Sequence, residues 1–346
     1  MNFIDSLKEQ DASYIIAEIG NNHQGSLDLA LKMCEEAISC GVDAIKFQRR
    51  NNKELFTDEF YNSPYVNSNS FGDLYGEHRD KLELSLQDLE KIKSYIESKK
   101  CDFLVTPFDF SSLEDLETIK CAFYKVASAD IVHIPLIKKI ARTQKPMIIS
   151  TGFATYEDIN RAVLILDELK SNYSLLHCTA SYPAEIADMN LNCIPEMIKR
   201  YPKAFKIGLS DHENGIDCAS IAYLLGARIF EKHFTLNRAN KGTDNCFSLE
   251  PNGLKKLVRN IKRIPICLGT SSHQLLKAEE KPIFKMRKSI VYKTNLVKDA
   301  QLDLTNLEFR CPGNGLEPFY INEVIGKRLK TNVNRHQCFD FSHIHK

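Results

Sequence analysis

Gly208-Leu209-Ser210-Asp211-His212 and Phe230-Glu231-Lys232-His233-Phe234 are two short apolar runs, each ending in polar residues with one histidine apiece. Between them, residues 213–227 read as a helix that closes near Gly226. A strand, a helix and a second strand in that order make a right-handed crossover with both strands parallel. Both histidines then stand at the carboxyl ends of neighbouring strands. In a parallel α/β barrel that rim is where active sites are built. The pair reads as two imidazole ligands of one metal ion.

Working outward, the same unit recurs. Residues 14–20 form a first strand with Glu18 near its end, and Ser26 caps a helix carrying Leu27, Leu31, Cys34 and Ile38 on one face up to Gly41. Residues 43–48 make the second strand, ending in Lys46 and Gln48. A long insertion over 49–79, rich in Asn, Ser, Tyr and Phe, is of a length usually functional or disordered. Helical periodicity resumes over 85–99, and strands follow at 103–108, 123–128, 146–152 and 174–179, with helices between. The opening pair supplies strands seven and eight. Eight such units over roughly 270 residues predict a (β/α)8 TIM barrel, and the runs are apolar on both faces, as a buried parallel sheet requires. An open doubly wound sheet competes, but no Gly-x-Gly-x-x-Gly turn follows any strand.

The expected domains are a catalytic barrel over 1–269, a polar linker over 270–284 and a small β-rich module over 285–346, whose turn signals include Pro312-Gly313-Asn314-Gly315. At 43% hydrophobic, 26% charged and net charge +1, the chain of 346 residues gives no support for broad nucleic-acid or membrane attraction. No stretch is apolar enough to span a bilayer, and charges at Asp5, Lys8 and Glu9 stand where a signal peptide needs an apolar core. Eleven scattered cysteines without a Cys-x-x-Cys pair suit a reducing cytoplasm.

The residues near the strand ends form one constellation: Glu18, Lys46, Gln48, Thr106, Lys125, Ser128, Ser150, Thr151, Thr179, Tyr182, Ser210, His212, Glu231 and His233. Lysines supply point charge and hydroxyls supply hydrogen bonds to phosphate or carboxylate oxygens. Two histidines with a glutamate nearby suit a catalytic divalent ion that keeps open positions and polarises a carbonyl. The pocket therefore asks for one anionic and one carbonyl-bearing substrate. The plainer readings make Lys46 and Lys125 salt-bridge partners of Glu18 and Glu231, and the threonines fillers of strand-end backbone groups. His177 reads as a core histidine, and Asp244 as a loop cap or a polyol ligand.

Ala17-Glu18-Ile19-Gly20-Asn21-Asn22-His23-Gln24-Gly25, Lys46-Phe47-Gln48, Thr106-Pro107-Phe108-Asp109, Gly208-Leu209-Ser210-Asp211-His212, Glu231-Lys232-His233-Phe234-Thr235 and Ser248-Leu249-Glu250-Pro251 resemble the sialic acid synthase family, in the same order and over nearly the whole chain. The Pro-Gly-Asn-Gly segment resembles that family's antifreeze-like (SAF) domain. The resemblance implies condensation of phosphoenolpyruvate with an open-chain N-acylated hexosamine to a nine-carbon 2-keto acid and phosphate. It implies Mn2+ or Mg2+ on His212 and His233, phosphoenolpyruvate on Lys46, Thr106, Lys125, Ser128, Ser150 and Ser210, and proton transfers by Glu18. Gln48, Tyr182, Glu231 and Asp244 would line the sugar and metal side. It also implies a domain-swapped homodimer. Where the family carries an arginine before Pro-Gly-Asn-Gly that reaches the sugar across the dimer, Cys311 stands here, and the resemblance leaves Arg310, one residue earlier, as the substrate-binding substitute. The acceptor stays open between N-acetylmannosamine, its phosphorylated form, and the diacetamido sugars that lead to legionaminate and pseudaminate. Two rivals are a Schiff-base aldolase using Lys46 or Lys125, and a catalytically inactive sugar-binding protein.

Overall fold

Strand-forming runs close into a parallel barrel in the computed structural model, which describes Phe3 and residues 11–345. The remaining lead-in, on which the signal-peptide reading rested, lies outside the described residues. The strands are β1 Tyr14–Glu18, β2 Ala44–Arg49, β3 Asp102–Pro107, β4 Tyr124–Val126, β5 Met147–Ser150, β6 Tyr173–Cys178, β7 Ile207–Asp211 and β8 Ile229–His233. β1 pairs with both β2 and β8, setting Glu18 opposite Lys46 on one side and His233 on the other, and this shuts the sheet.

Side chains alternate between the barrel interior and the surrounding helices. Inside, a floor of Phe3, Tyr14 and Phe123, with Phe205 packed against it, lies under a layer of Ile16, Leu104, Ile148, Leu176 and Ile229. The Phe3 ring stacks on Phe123 at 5.1 Å and meets Tyr14 edge-on at 5.0 Å. Two residues further along the strands, interior positions turn polar: Glu18, Thr106, Lys125, Ser150, Ser210 and Glu231 are all buried. The barrel is thus a dry plug below and a charged cup above. A larger apolar shell, including Ile15, Ala17, Val105, Ile149, Leu209 and Phe230, packs outward against the helices.

Local chemistry sets the connections. Ser26 accepts a hydrogen bond from the Leu29 amide and starts the helix Leu27–Ser39. The crossover helix between β7 and β8 runs Asp217–Leu224, shorter than the expected 213–227. Its missing first turn is pulled away: the Glu213 amide donates to Asp211 Oδ1 at 2.9 Å, and buried Lys232 donates to the Glu213 carbonyl at 2.6 Å. Gly208, facing inward on β7, has no room for a side chain, since a Cβ would run into the Ile229 carbonyl oxygen and Leu176.

The insertion after β2 is built rather than loose. It holds short helices Asn52–Leu55, Asp58–Tyr61 and Tyr75–Asp80, pinned by a cluster of Phe56, Phe60, Tyr65, Tyr75 and His78 rings.

The chain packs as two units, Met1–Gly269 and Thr270–Lys346. In the second, β9 Ser289–Tyr292 and β10 Leu307–Arg310 pair antiparallel over a core of Ile290, Tyr292, Leu302, Val324, Leu329 and Phe339. The segment expected as a linker carries a helix, Glu280–Met286. The run around residues 325–329 makes only isolated bridges, Gln301 to Arg328 and Leu329 to Ile344. Among the described residues no helix is long and apolar enough to cross a membrane.

Candidate active site

A cavity of about 590 Å³ opens at the carboxyl ends of the strands, lined by Glu18, Lys46, Gln48, Thr106, Lys125, Ser128, Ser150, Tyr182, Ser210, His212, Glu231, His233 and Asp244. These sequence-read candidates therefore share one pocket. Arg310, the residue before Cys311, is in the second unit, exposed and paired with Glu308 at 2.7 Å. Thr151 and Thr179 take the plainer role, their hydroxyls donating to the carbonyls of Leu176 and Asp188 at 2.9 and 3.0 Å. His177 binds the Met189 carbonyl at 2.7 Å outside the cavity, as a structural histidine would.

The cup's centre is a charge network. Lys46 Nζ lies 2.8 Å from Glu18 Oε2 and 3.6 Å from Glu231 Oε1, while Lys125 Nζ donates to Ser150 Oγ at 2.6 Å and lies 3.9 Å from Glu231 Oε2. Ser210 donates to Glu231 Oε1 at 3.2 Å. Burial works against the Lys46 charge, but Glu18 and Glu231 overcome it and hold the ammonium above its ordinary value. Lys125 is pushed the other way, by burial first, with Glu231 resisting and Lys46 repelling. Against the cost of burial, Lys125 and Lys46 keep Glu231 below the usual carboxylate range. Burial lifts Glu18 above it, despite Lys46. The same network thus pushes the two carboxylates in opposite directions, Glu18 up and Glu231 down. Gln48 donates to Glu18 Oε1, and Gly20 at φ +53° lets the chain turn so close that a Cβ would sit 3.1 Å from Asp244 Oδ2.

The histidines stand at one side, their ring centroids 5.3 Å apart, beside Tyr182 and Phe247. Burial holds both imidazoles near a pKa of about 4, so both are neutral at pH 7. His212 Nδ1 meets the Thr179 carbonyl at 3.0 Å, which fixes that nitrogen as the donor and leaves Nε2 with its lone pair. His233 Nδ1 is buried without a hydrogen-bond partner, 3.6 Å from Asp244 Oδ2. Among the described residues no group of three or more His, Cys, Asp and Glu side chains forms a metal cage. Two neutral imidazoles, one with an orphaned nitrogen, are a partial donor set that fits a divalent ion retaining open positions.

The cavity also holds residues the strand-end reading passed over: Arg50, Arg79, Asn69 and Phe108. Arg50 had a signal. Lys46, Gln48 and Arg50 alternate along an extended chain and so share one face, whereas Arg49 points out to Asp115 at 2.7 Å. Arg79 had none, because the folding back of the 49–79 insertion brings it in.

A closed (β/α)8 barrel whose carboxyl-end cavity is lined by lysines, carboxylates and a histidine pair places the chain among the TIM-barrel proteins. The chain belongs to the NeuB family, whose model matches residues 33–273. It is 35% identical over 325 residues to the human N-acetylneuraminate-9-phosphate synthase, covering 94% of this chain and 90% of that one. It is 36% identical over 326 residues to the Campylobacter jejuni N,N'-diacetyllegionaminic acid synthase, covering 92% and 96%. Among solved structures, an N-acetylneuraminic acid synthetase from Leptospira borgpetersenii in complex with citrate superposes with TM-score 0.67 at 36% identity, covering 78% of this chain and 90% of that one.

Proposed function

We propose that the protein is a transferase that condenses phosphoenolpyruvate with the aldehyde of an open-chain N-acylated hexosamine. The product is a nine-carbon 2-keto acid of the sialic, legionaminic or pseudaminic type, released with phosphate. The observation that carries this reading is the Lys46–Glu18 and Lys125–Glu231 network set in a ring of hydroxyls inside the cup.

Phosphoenolpyruvate brings a carboxylate and a phosphate. Lys46 and Lys125 would hold them as point charges, with Thr106, Ser128, Ser150 and Ser210 adding hydrogen bonds. The enol carbon attacks the aldehyde carbon, the new C–C bond leaves C2 electron-poor, and water adds there. The bridging C–O bond then breaks, phosphate departs and the 2-keto group forms. Glu18, whose carboxyl burial raises, would take the proton from the attacking water and return one to the nascent hydroxyl. Gln48, held against Glu18, and Asp244 would orient the sugar chain, while Tyr182 covers the histidines. Mn2+ or Mg2+ on His212 and His233, when bound, would supply Lewis-acid polarisation of the aldehyde.

The proposal extends, on the family resemblance, to a cytoplasmic homodimer whose second unit is an antifreeze-like domain capping the partner's barrel, with Arg310 toward the sugar. The chemistry is tested by phosphate release from phosphoenolpyruvate with Mn2+, offering N-acetylmannosamine and its relatives one at a time, with a chelator control. Release that needs the sugar and stops with chelator supports it. Sugar affinity without turnover at any metal would favour an inactive binding protein.

A further inference from the structure

At the insertion side of the cavity, beyond Lys46 and Gln48, stand two guanidinium groups, Arg50 and Arg79, with Glu83 the carboxylate between their charges. Arg50 has 9% of its side chain exposed, its ring-stacked guanidinium lies 3.8 Å over Phe108, and Nη2 donates to Gln48 Oε1. Its Nη1 makes no hydrogen bond and finds only Glu83 Oε1 at 3.5 Å. Arg79 reaches the same cavity from the helix Tyr75–Asp80, and its buried Nε has no hydrogen-bond partner. The two arginines feel each other: burial first, then the Arg79 charge, lower the Arg50 pKa to about 10, with Glu83, Asp244 and Glu18 pulling it back. Two like charges are kept close in a cavity wall only if something compensates them, and here both guanidinium groups share one carboxylate, Glu83, which lies 3.5 Å from Arg50 Nη1 and accepts from the Arg50 backbone amide at 3.1 Å.

The position matters as much as the charge. Phosphoenolpyruvate's two anionic groups already have Lys46, Lys125 and the hydroxyl ring deeper in the cup. Arg50 lies two residues past Gln48, about 7 Å further along the extended chain. That distance is comparable with an extended six-carbon chain whose aldehyde sits by the histidines and Gln48. A phosphomonoester carries a charge of about −1.5 to −2 at pH 7 and three acceptor oxygens, which suit two forked guanidinium donors. The polar cavity residues Asn69 and Thr243 stand in the same wall, Thr243 donating to Asp244 Oδ1 at 2.9 Å.

We propose that the acceptor hexosamine carries a phosphate at the end remote from its aldehyde, and that Arg50 and Arg79 bind it. This rests on the condensation reading and selects, among the acceptors open to it, the phosphorylated class.

The test measures consumption of phosphoenolpyruvate with Mn2+ and either N-acetylmannosamine 6-phosphate or N-acetylmannosamine, in the full-length protein and in Arg79→Met and Arg79→Lys. The expected kcat/KM for the phosphorylated sugar exceeds that of the free sugar by on the order of tenfold or more. Arg79→Met collapses that ratio by raising KM for the phosphorylated acceptor, without moving KM for phosphoenolpyruvate, and Arg79→Lys keeps part of it. Equal or better use of the free sugar by the unaltered protein overturns the inference and leaves the condensation standing. So does a rise in KM for phosphoenolpyruvate in Arg79→Met, which would put that substrate's own phosphate on the arginines. No consumption with either sugar, while phosphoenolpyruvate fails to bind, overturns the condensation reading and this inference with it.

Discussion

Lys125 is buried at the end of β4 with a hydroxyl at 2.6 Å, a carboxylate at 3.9 Å and a second ammonium in the same cup. Its charge is therefore maintained against burial and against Lys46, and its proton leaves at a lower pH than that of a surface lysine. The sign for activity follows directly. The anion needs the ammonium, so kcat/KM for phosphoenolpyruvate is full below the depressed pKa and falls as pH rises through it, earlier than the ordinary lysine value of 10.5. A pH–rate profile reads this. Lys125→Met is expected to cost on the order of 2–5 kcal/mol of binding to phosphoenolpyruvate, since it strands an anion in a buried cup; direct titration of phosphoenolpyruvate with the variant checks the size. At this scale the sequence was informative wherever chemistry follows a strand end. Glu18, Lys46, Ser210 and the histidines are set by β-strand alternation and barrel polarity, both of which act over a few residues. Arg50 obeys the same alternation but sits two residues past the apolar run that marks the strand. Arg79 depends on a fold-back of about thirty residues, which no local periodicity encodes.

Among the elements, β7 carries the tightest constraint. Gly208 faces the interior against the Ile229 carbonyl and the Leu176 side chain. Backbone cannot move aside as a side-chain tip can, so Gly208→Ala should lower stability by about 1–3 kcal/mol by overpacking. Thermal or urea unfolding measures that, and an unchanged midpoint would show that the barrel wall relaxes. The strand and helix pattern was legible almost throughout, because eight apolar runs alternate with amphipathic helices and capping residues such as Ser26 mark their starts. What was not legible was the turn at 213–216, where Asp211 and Lys232 compete successfully for backbone groups that periodicity alone assigns to a helix. The 49–79 insertion was equally opaque. Its three short helices are held by an aromatic cluster assembled from residues up to about twenty apart, rather than by a continuous stripe.

For the molecule as a whole, a large barrel unit holds the chemistry and a second, smaller unit keeps its own core. The division after Gly269 showed in the sequence as a loss of apolar periodicity. The helix Glu280–Met286 did not, since its charges and Pro282 in its first turn read as a linker. The chief chemical rival, a Schiff-base aldolase, needs a neutral lysine amine. Lys46 is the wrong group, because Glu18 and Glu231 hold it charged. Lys125, whose pKa is lowered, is the residue on which the two accounts differ. The most direct measurement is product analysis by mass spectrometry after incubation with Mn2+, each candidate N-acylated hexosamine in turn and either phosphoenolpyruvate or pyruvate, with borohydride added in parallel. The account expects one keto acid for each phosphate released from phosphoenolpyruvate, no product from pyruvate, and no borohydride adduct on the protein. Product from pyruvate, together with a reduced adduct on Lys125 or Lys46, would contradict it.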